Sequence, residues 1–563
     1  MRSKKLITVG VAILTFSTTL SQSSSASIDL NQTFIPADNS WIPSGNEGVD
    51  PETTSYIVND SFVEPWLTGG GSNVTSMTKK PLPGNPDNID QLYCASYQDK
   101  ECRSSDLFFF SVLPVCENGN SADCIVSLNL QNSGKEDELA FKKYLDFQGT
   151  IDENLLGKKP WGAENIAVHQ VLDFAGEPSR DLPPGSRVSL WQSKTASENS
   201  NDFYAIAITM KGQAKAGKDS DLESFQISIT PVIERSDSNY FAPILVSTQE
   251  KDGHIGVGGS GGAAWGQKCI YRTSGKCYVR AEFPENVTLK LKANLSSSVT
   301  GWLHGRIGKP DIQIKNLSKR INQVTISGEP LKIPIEVEDF KASSLPKGTS
   351  PFGDQGGIRW NLFADGDFRF TWFEKLLPFL DDKADAVTSA WSLRSVVSSN
   401  LNPCLKSSTK LVGLVTTNAM MYNGEAPKFE KGFLAYRVAG LHKGTDNEVW
   451  RGTYDLVMSS ESARCLYQFS TAPVSATIQV VNSGGENQVS TTTLSEKNGW
   501  LRLGAYNFTF SSPTIKVKLT QEVQKISSTP LGFKQTTIKC VKGKQVKSIT
   551  SAKPVCPKGF KKK

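Results

Sequence analysis

The stretch Leu107-Phe-Phe-Phe-Ser-Val-Leu-Pro-Val115, with Cys124-Ile-Val-Ser-Leu-Asn-Leu130 after it, decides the fold class. The first part is an almost continuous apolar run, which suits a strand covered on both faces. The second alternates, with Ile125, Ser127 and Asn129 on one side and Val126, Leu128 and Leu130 on the other. Similar runs recur at 166–172, 187–191, 203–210 and 225–233, separated by turn clusters such as Pro183-Pro184-Gly185. Short strands with Gly and Pro punctuation predict a mainly β protein built as a sandwich.

The pattern divides the chain. Residues 27–90 are rich in Pro, Gly, Asn and Ser and poor in periodicity, so they are expected to form an irregular leader. A first sandwich-like domain is expected over 91–251, followed by a Gly-rich hinge at 252–263. A second β domain is expected over 264–528, with strands at 287–295, 301–307, 312–314, 333–337, 410–417, 432–438, 454–458, 476–481 and 515–519. One amphipathic helix is expected in it. Phe373, Leu376, Leu377, Leu380, Ala384, Val387 and Trp391 fall at three- and four-residue steps. Pro378 interrupts that stripe, which places the regular helix at about 378–397.

Ten cysteines fall into near neighbours. Cys94 and Cys102, Cys116 and Cys124, and Cys269 and Cys277 are each eight apart; Cys404 with Cys465 is wider, and Cys540 with Cys556 lies in the tail. Five disulfides are the simplest accounting, with the pairing of the first four cysteines open to three arrangements. Thr273-Ser274-Gly275 is expected to turn a hairpin that brings Cys269 opposite Cys277. Disulfides persist outside the reducing cytosol. The N-terminus agrees: Arg2, Lys4 and Lys5 precede an apolar run at 6–20, and Ser24 and Ala26 suit the −3 and −1 positions of a signal peptide, 1–26. That run is shorter than the ~20 residues of a spanning helix, and no later stretch reaches that length, so the mature chain is expected to have no transmembrane helix. Secretion or cell-surface display is the expected location.

Charge is unevenly placed. Residues 533–563 carry ten lysines and no acid; with that +10 and the +3 of the signal removed from the net +6, residues 27–532 carry −7. The tail, 529–563, is expected to be a basic hairpin, with strands at 536–541 and 545–550 turning at Gly543-Lys544 and stapled by Cys540–Cys556. Lys539, Lys542, Lys544, Lys547, Lys553, Lys558, Lys561, Lys562 and Lys563 would meet an anionic wall or extracellular polymer as point charges. Nucleic acid is a poor partner for an exported chain.

Two blocks of the tail, Thr-Thr-Ile-Lys-Cys-Val-Lys-Gly-Lys (536–544) and Lys-Pro-Val-Cys-Pro-Lys-Gly-Phe-Lys-Lys-Lys (553–563), resemble the terminal module of many secreted actinobacterial proteins. Glu-Pro-Trp-Leu-Thr-Gly-Gly-Gly (64–71), Trp-Leu-His-Gly-Arg (302–306), Ala-Arg-Cys-Leu-Tyr (463–467) and the stretch 508–520 resemble large uncharacterised exported proteins of the same bacteria. The resemblance implies a cell-surface protein and no particular chemistry.

No residue set specifies a reaction. Gly258-Gly259-Ser260-Gly261-Gly262 matches the nucleophile-elbow pattern, but Cys269 opens a hairpin where that motif needs a helix, so the run reads as a linker. Asp365-Gly366-Asp367 offers two calcium ligands where six to eight oxygens are needed, and Asp-Gly favours a hairpin turn. His169, His254, His304 and His442 lack metal-ligand spacing. Glu336, Glu338, Asp339, Asp365 and Asp367 are the carboxylates from which a polysaccharide hydrolase would draw its pair. Trp66, Trp265, Trp302 and Trp360 are the ones placed to stack on sugars. The leading expectation is a non-enzymatic surface protein without cofactor or metal, held to polymer by its tail; the alternatives are a carbohydrate-binding or adhesive module and an extracellular polysaccharide hydrolase.

Overall fold

The computed structural model describes residues 53–59, 72–76, 80–82, 85–90, 94, 96–119, 121–145, 173–196, 202–235, 248–251, 254–257, 271–273, 276–296, 298–341, 358–363, 367–396, 402–407, 410–469, 474–481, 487–488, 491–510, 514–521, 536–551 and 553–563. The signal segment, the run 258–262, Cys269, Asp365 and the strand expected at 166–172 lie outside them. The chain divides into two compact units, Met1–Ser470 with Ser475–Thr520, and Thr471–Val474 with Gln521–Lys563. It is mainly β.

The first strands are β1 (Thr53–Asn59), β2 (Asn73–Ser76), β3 (Lys80–Leu82), β4 (Asn85–Asp90), β5 (Leu107–Val112), β6 (Cys124–Asn132), β7 (Lys135–Tyr144), β8 (Ser189–Ser193), β9 (Asp202–Ala214) and β10 (Ser220–Arg235). Then come β11 (Thr248–Lys251), β12 (His254–Val257), β13 (Tyr271–Thr273), β14 (Lys276–Arg280), β15 (Val287–Ser296), β16 (Gly301–Asn316), β17 (Ile321–Lys341), β18 (Ile358–Phe363) and β19 (Ala386–Val396). Among the described residues helices are few: a single turn, α1 (Lys100–Arg103), then α2 (Asp367–Leu376) and α3 (Ser460–Tyr467).

Nine strands close a ring. Each pairs antiparallel with the next in the order β6–β7–β8–β9–β10–β19–β16–β17–β15, and β15 pairs back onto β6. Closure removes the free strand edges that an open sheet would present. All nine strands send side chains into one buried cluster, among them Leu128, Leu139, Trp191, Ile208, Ile227, Leu289, Leu303, Ile326 and Trp391. Each such Leu or Ile stabilises the ring by about 2 kcal/mol. The two expected sandwich-like domains are therefore replaced by one barrel, built from strands on both sides of the glycine-rich stretch. β15 explains why: Val287, Leu289, Leu291, Ala293 and Leu295 form a period-2 apolar stripe, and its two edges pair with β6 and β17.

Pure alternation fails in β6. The register with β15 shifts between Lys292 and Ala293, leaving Val126 unpaired between Ile125 and Ser127. That bulge turns Ile125 and Leu128 into the same core, where alternation had put them on opposite sides.

The expected helix at 378–397 is a strand, β19. The helix lies earlier, as α2, where Phe370, Phe373 and Leu376 are its buried stripe, and it ends in the short turn Leu377–Phe379 at Pro378. Beyond Asp381 and Asp382, Val387 and Thr388 are β-branched and serines recur, a composition that fits a pleated ladder better than a helix. Asp367 heads α2 instead of closing a hairpin turn.

The leader is not irregular throughout: β1 lies antiparallel to β17 and parallel to β18, β2 pairs with β5, and β3 with β4. The expected hinge contains β12, paired with β11. The β13–β14 hairpin forms with Thr273 opposite Lys276 and Arg272 opposite Cys277, while the expected Cys269–Cys277 pair falls outside the described residues. Among the described residues four disulfides are present: Cys94–Cys102, Cys116–Cys124, Cys404–Cys465 and Cys540–Cys556. Local pairing thus resolves the first four cysteines.

The sheet continues past the barrel along β16, which takes β20 (Leu411–Thr417) in parallel. The remaining strands of this unit are β21 (Met421–Tyr422), β22 (Lys428–Glu430), β23 (Phe433–Ala439), β24 (Arg451–Ser459), β25 (Val474–Val481), β26 (Asn487–Gln488), β27 (Thr491–Lys497), β28 (Trp500–Thr509) and β29 (Thr514–Gln521). β20, β24, β28 and β27 extend the large sheet, while β21, β23, β29, β25 and β26 form a second one, with β22 paired to β23. Aromatic side chains join the two: Tyr436 of β23 and Tyr454 of β24 lie 5.6 Å apart between ring centroids. Among the described residues no helix is long and apolar enough to cross a membrane.

Candidate functional site

The lysine tail folds as a three-stranded sheet of β30 (Thr536–Lys542), β31 (Gln545–Ser551) and β32 (Lys561–Lys562), with β30 in the centre. Lys542 pairs with Gln545, so Gly543 and Lys544 alone make the turn. Gly543 has φ +59°, a left-handed conformation that glycine adopts without steric cost. The third strand was not legible beforehand, because Lys-Lys-Lys carries no apolar pattern. It is held by Cys540 opposite Lys562, Val541 opposite Lys561, and the Lys563 amide donating to the Lys539 carbonyl at 2.8 Å.

Opposed residues of an antiparallel pair share a face, so the register sorts the lysines. Ile538 with Ile549, Cys540 with Lys547 and Lys562, and Lys542 with Gln545 form one face. The Cys540–Cys556 bond brings the connecting chain onto this side, where Ile538 and Cys540 are buried. Lys547 Nζ lies 5.3 Å from the centroid of the Phe560 ring, and the Lys542 chain runs beside Gly559. The opposite face holds Thr537 with Thr550, Lys539 with Ser548, and Val541 with Val546 and Lys561. It is open: Val546 is 57% exposed, and Lys539, Lys561 and Lys563 are exposed, as are the other six lysines named above.

The other predicted residues scatter. Trp302 is buried and donates its indole N–H to the Leu405 carbonyl at 2.9 Å, so it is core and no sugar platform. Trp360 lies in β18, and Trp66 and Trp265 fall outside the described residues. Glu336, Glu338 and Asp339 sit along β17 opposite β1. His254 is in β12, His304 is buried, and His442 is bonded to Asp382 at 2.9 Å. Among the described residues no group of three or more His, Cys, Asp or Glu is placed to hold a metal ion.

Three buried polar arrangements were missed. The first joins the barrel wall to the second sheet. His304 and Arg306, two apart on β16, project from one side of it; Tyr436 Oη lies 3.1 Å from His304 Nδ1, and the Arg306 guanidinium donates to the carbonyls of Thr417, Ala419 and Met420. Arg306 also stacks on Tyr422, 4.5 Å from the ring centroid, and Arg394 donates to the Tyr422 hydroxyl at 2.6 Å. Burial holds His304 well below the usual histidine range; Arg394 and Arg306 push the same way and the Glu425 backbone opposes. The signal was present in Trp302-Leu-His-Gly-Arg306, where two polar residues at i and i+2 share one side of a strand.

The second is Asp455 on β24, which accepts from Tyr506 and from the Lys309 amide at 3.2 Å. Burial pushes its carboxyl up to about 6, against those hydrogen bonds. The third is Asp123, at the start of β6. Its Oδ1 accepts the Ser296 amide at 2.7 Å and its Oδ2 has no partner among the described residues. Burial pushes this carboxyl up to about 7, with Asp181 adding to the effect. Single buried carboxylates leave no periodic trace in a sequence.

No known protein family, curated protein or solved structure matches this chain.

Proposed function

We propose that the chain is a non-enzymatic exported protein of the cell surface, retained on an anionic wall or matrix polymer by its C-terminal sheet. The observation that carries this reading is nine exposed lysines, with no acidic residue among them, on a small sheet stapled by Cys540–Cys556. A solvated tail has no need of a fold, whereas a stapled sheet holds cations in fixed positions. Export is supported by the tripartite N-terminus and by the four disulfides, which suit an oxidising compartment.

Fractionation of cells into wall, membrane and medium, followed by a salt wash of the wall, tests the reading. Electrostatic retention predicts release between low and moderate salt, since affinity falls with roughly the 0.7–0.9 power of salt per neutralised charge. Truncation after Thr529 is expected to send the protein to the medium. Unchanged retention of the truncated chain rules out the tail as the anchor.

A further inference from the structure

We infer that the contact surface of the tail is one face of its sheet, and that this face takes an extended phosphodiester polymer of the cell envelope. The assignment rests on the proposed role of the tail. Lys539 is directly opposite Ser548 on one side and linked through its carbonyl to Lys563 on the other; Lys561 lies across from Val541. Lys561 and Lys563 are two residues apart and so project to the same side as Lys539. Like charges on neighbouring strands repel, and this face carries no acidic side chain to offset them. Beside the lysines stand the hydroxyls of Ser548, Thr537 and Thr550, the last two 2.8 Å apart. Ammonium and hydroxyl donors side by side are the set that proteins use on phosphodiester oxygens. The ring of Phe560 lies with Lys547 on the other face, which leaves the open face with no aromatic platform for a nucleobase.

Lys542, Lys547 and Lys562 carry the same charge on the face crossed by the disulfide and residues 553–560. They make a matched control.

The test compares the full chain with K539Q/K561Q/K563Q and K542Q/K547Q/K562Q on immobilised poly(glycerol phosphate), with polygalacturonate and single-stranded DNA as competing probes. The first variant is expected to lose about tenfold in affinity and to flatten the log–log salt dependence by about 2, the share of three contacts. The second removes no contact and is expected to leave that slope unchanged and the affinity within about threefold. Equal losses, with the parent chain still bound, overturn the choice of face alone. Tighter binding of the parent to polygalacturonate or DNA overturns the phosphodiester assignment. A parent chain that binds none of the three probes overturns the role of the tail, and this site with it.

Discussion

The phenol hydroxyl of Tyr506 donates to the buried carboxyl of Asp455, and it does so by lying over Gly504, the residue directly opposite Asp455 on β28. A Cβ on Gly504 would stand 2.4 Å from Tyr506 Oη, so only glycine leaves the phenol its path. Gly504→Ala is expected to displace the phenol and cost about 1–3 kcal/mol, the range for a buried acceptor losing its donor. Tyr506→Phe is expected to give a comparable loss and to raise the Asp455 carboxyl further, because that hydrogen bond favours the ionised form. Denaturant midpoints of both variants check this, and two unshifted midpoints would show the bond to be incidental.

Tyr436→Phe strips His304 of its partner at Nδ1 inside a fully buried cluster. The expected cost is about 1–3 kcal/mol. Because the folded imidazole is held below its unfolded value, the unfolded chain takes up the proton first on acidification, and this residue's contribution to stability falls below about pH 6.5. An NMR titration of the folded protein should therefore show the His304 ring remaining neutral as the pH passes below 6.5; protonation at that value would refute the picture.

Asp123 works in the opposite sense. Its folded carboxyl is raised to about 7 by burial, against about 3.9 in an unfolded chain. The folded state keeps a proton that the unfolded state gives up, so this contribution is complete below about pH 4 and is lost as pH rises through about 7. Asp123→Asn removes the titration. The variant's stability is expected to vary less with pH across that window than the parent's, as measured by unfolding at a series of pH values; parallel profiles would contradict the assignment.

The Cys540–Cys556 bond closes a span of 16 residues, which removes roughly 3 kcal/mol of unfolded-chain entropy. Its sheet buries little beyond Ile538 and Cys540. Cys540→Ser with Cys556→Ser is expected to unfold this unit while the barrel persists. Brief trypsin treatment should then clip at the tail lysines in the variant and spare them in the parent. Equal clipping in both would mean that the sheet does not depend on its staple.

How much of this was legible follows from where the information sits. The strands, the tail hairpin and the near-neighbour disulfides were readable because alternation, turn residues and spacing are local. Ring closure was not, since β6 meets β15 across more than 150 residues and β10 meets β19 at a similar distance. The helix was misplaced because Phe373 and Leu376 belong to a real helical stripe, which was then extended through Pro378 into residues that alternate. The nine tail lysines stood out in the sequence as a block of like charge, but their division between two faces depends on register, and β32 has no pattern to reveal it.

Ring closure also sets an order of events as the chain emerges from the ribosome. β6 to β10 are complete by Arg235, yet β6 lacks β15 until Ser296 has appeared, and β10 lacks β19 until Val396. From Arg235 to Ser296 the half-built wall leaves the β6 and β10 edges open to any neighbouring chain, and the β10 edge waits until Val396, the condition under which sheets pair with strangers. A nascent form of this protein is thus a sticky one, and expression of any fragment ending before β19 should yield aggregate in place of a smaller folded domain.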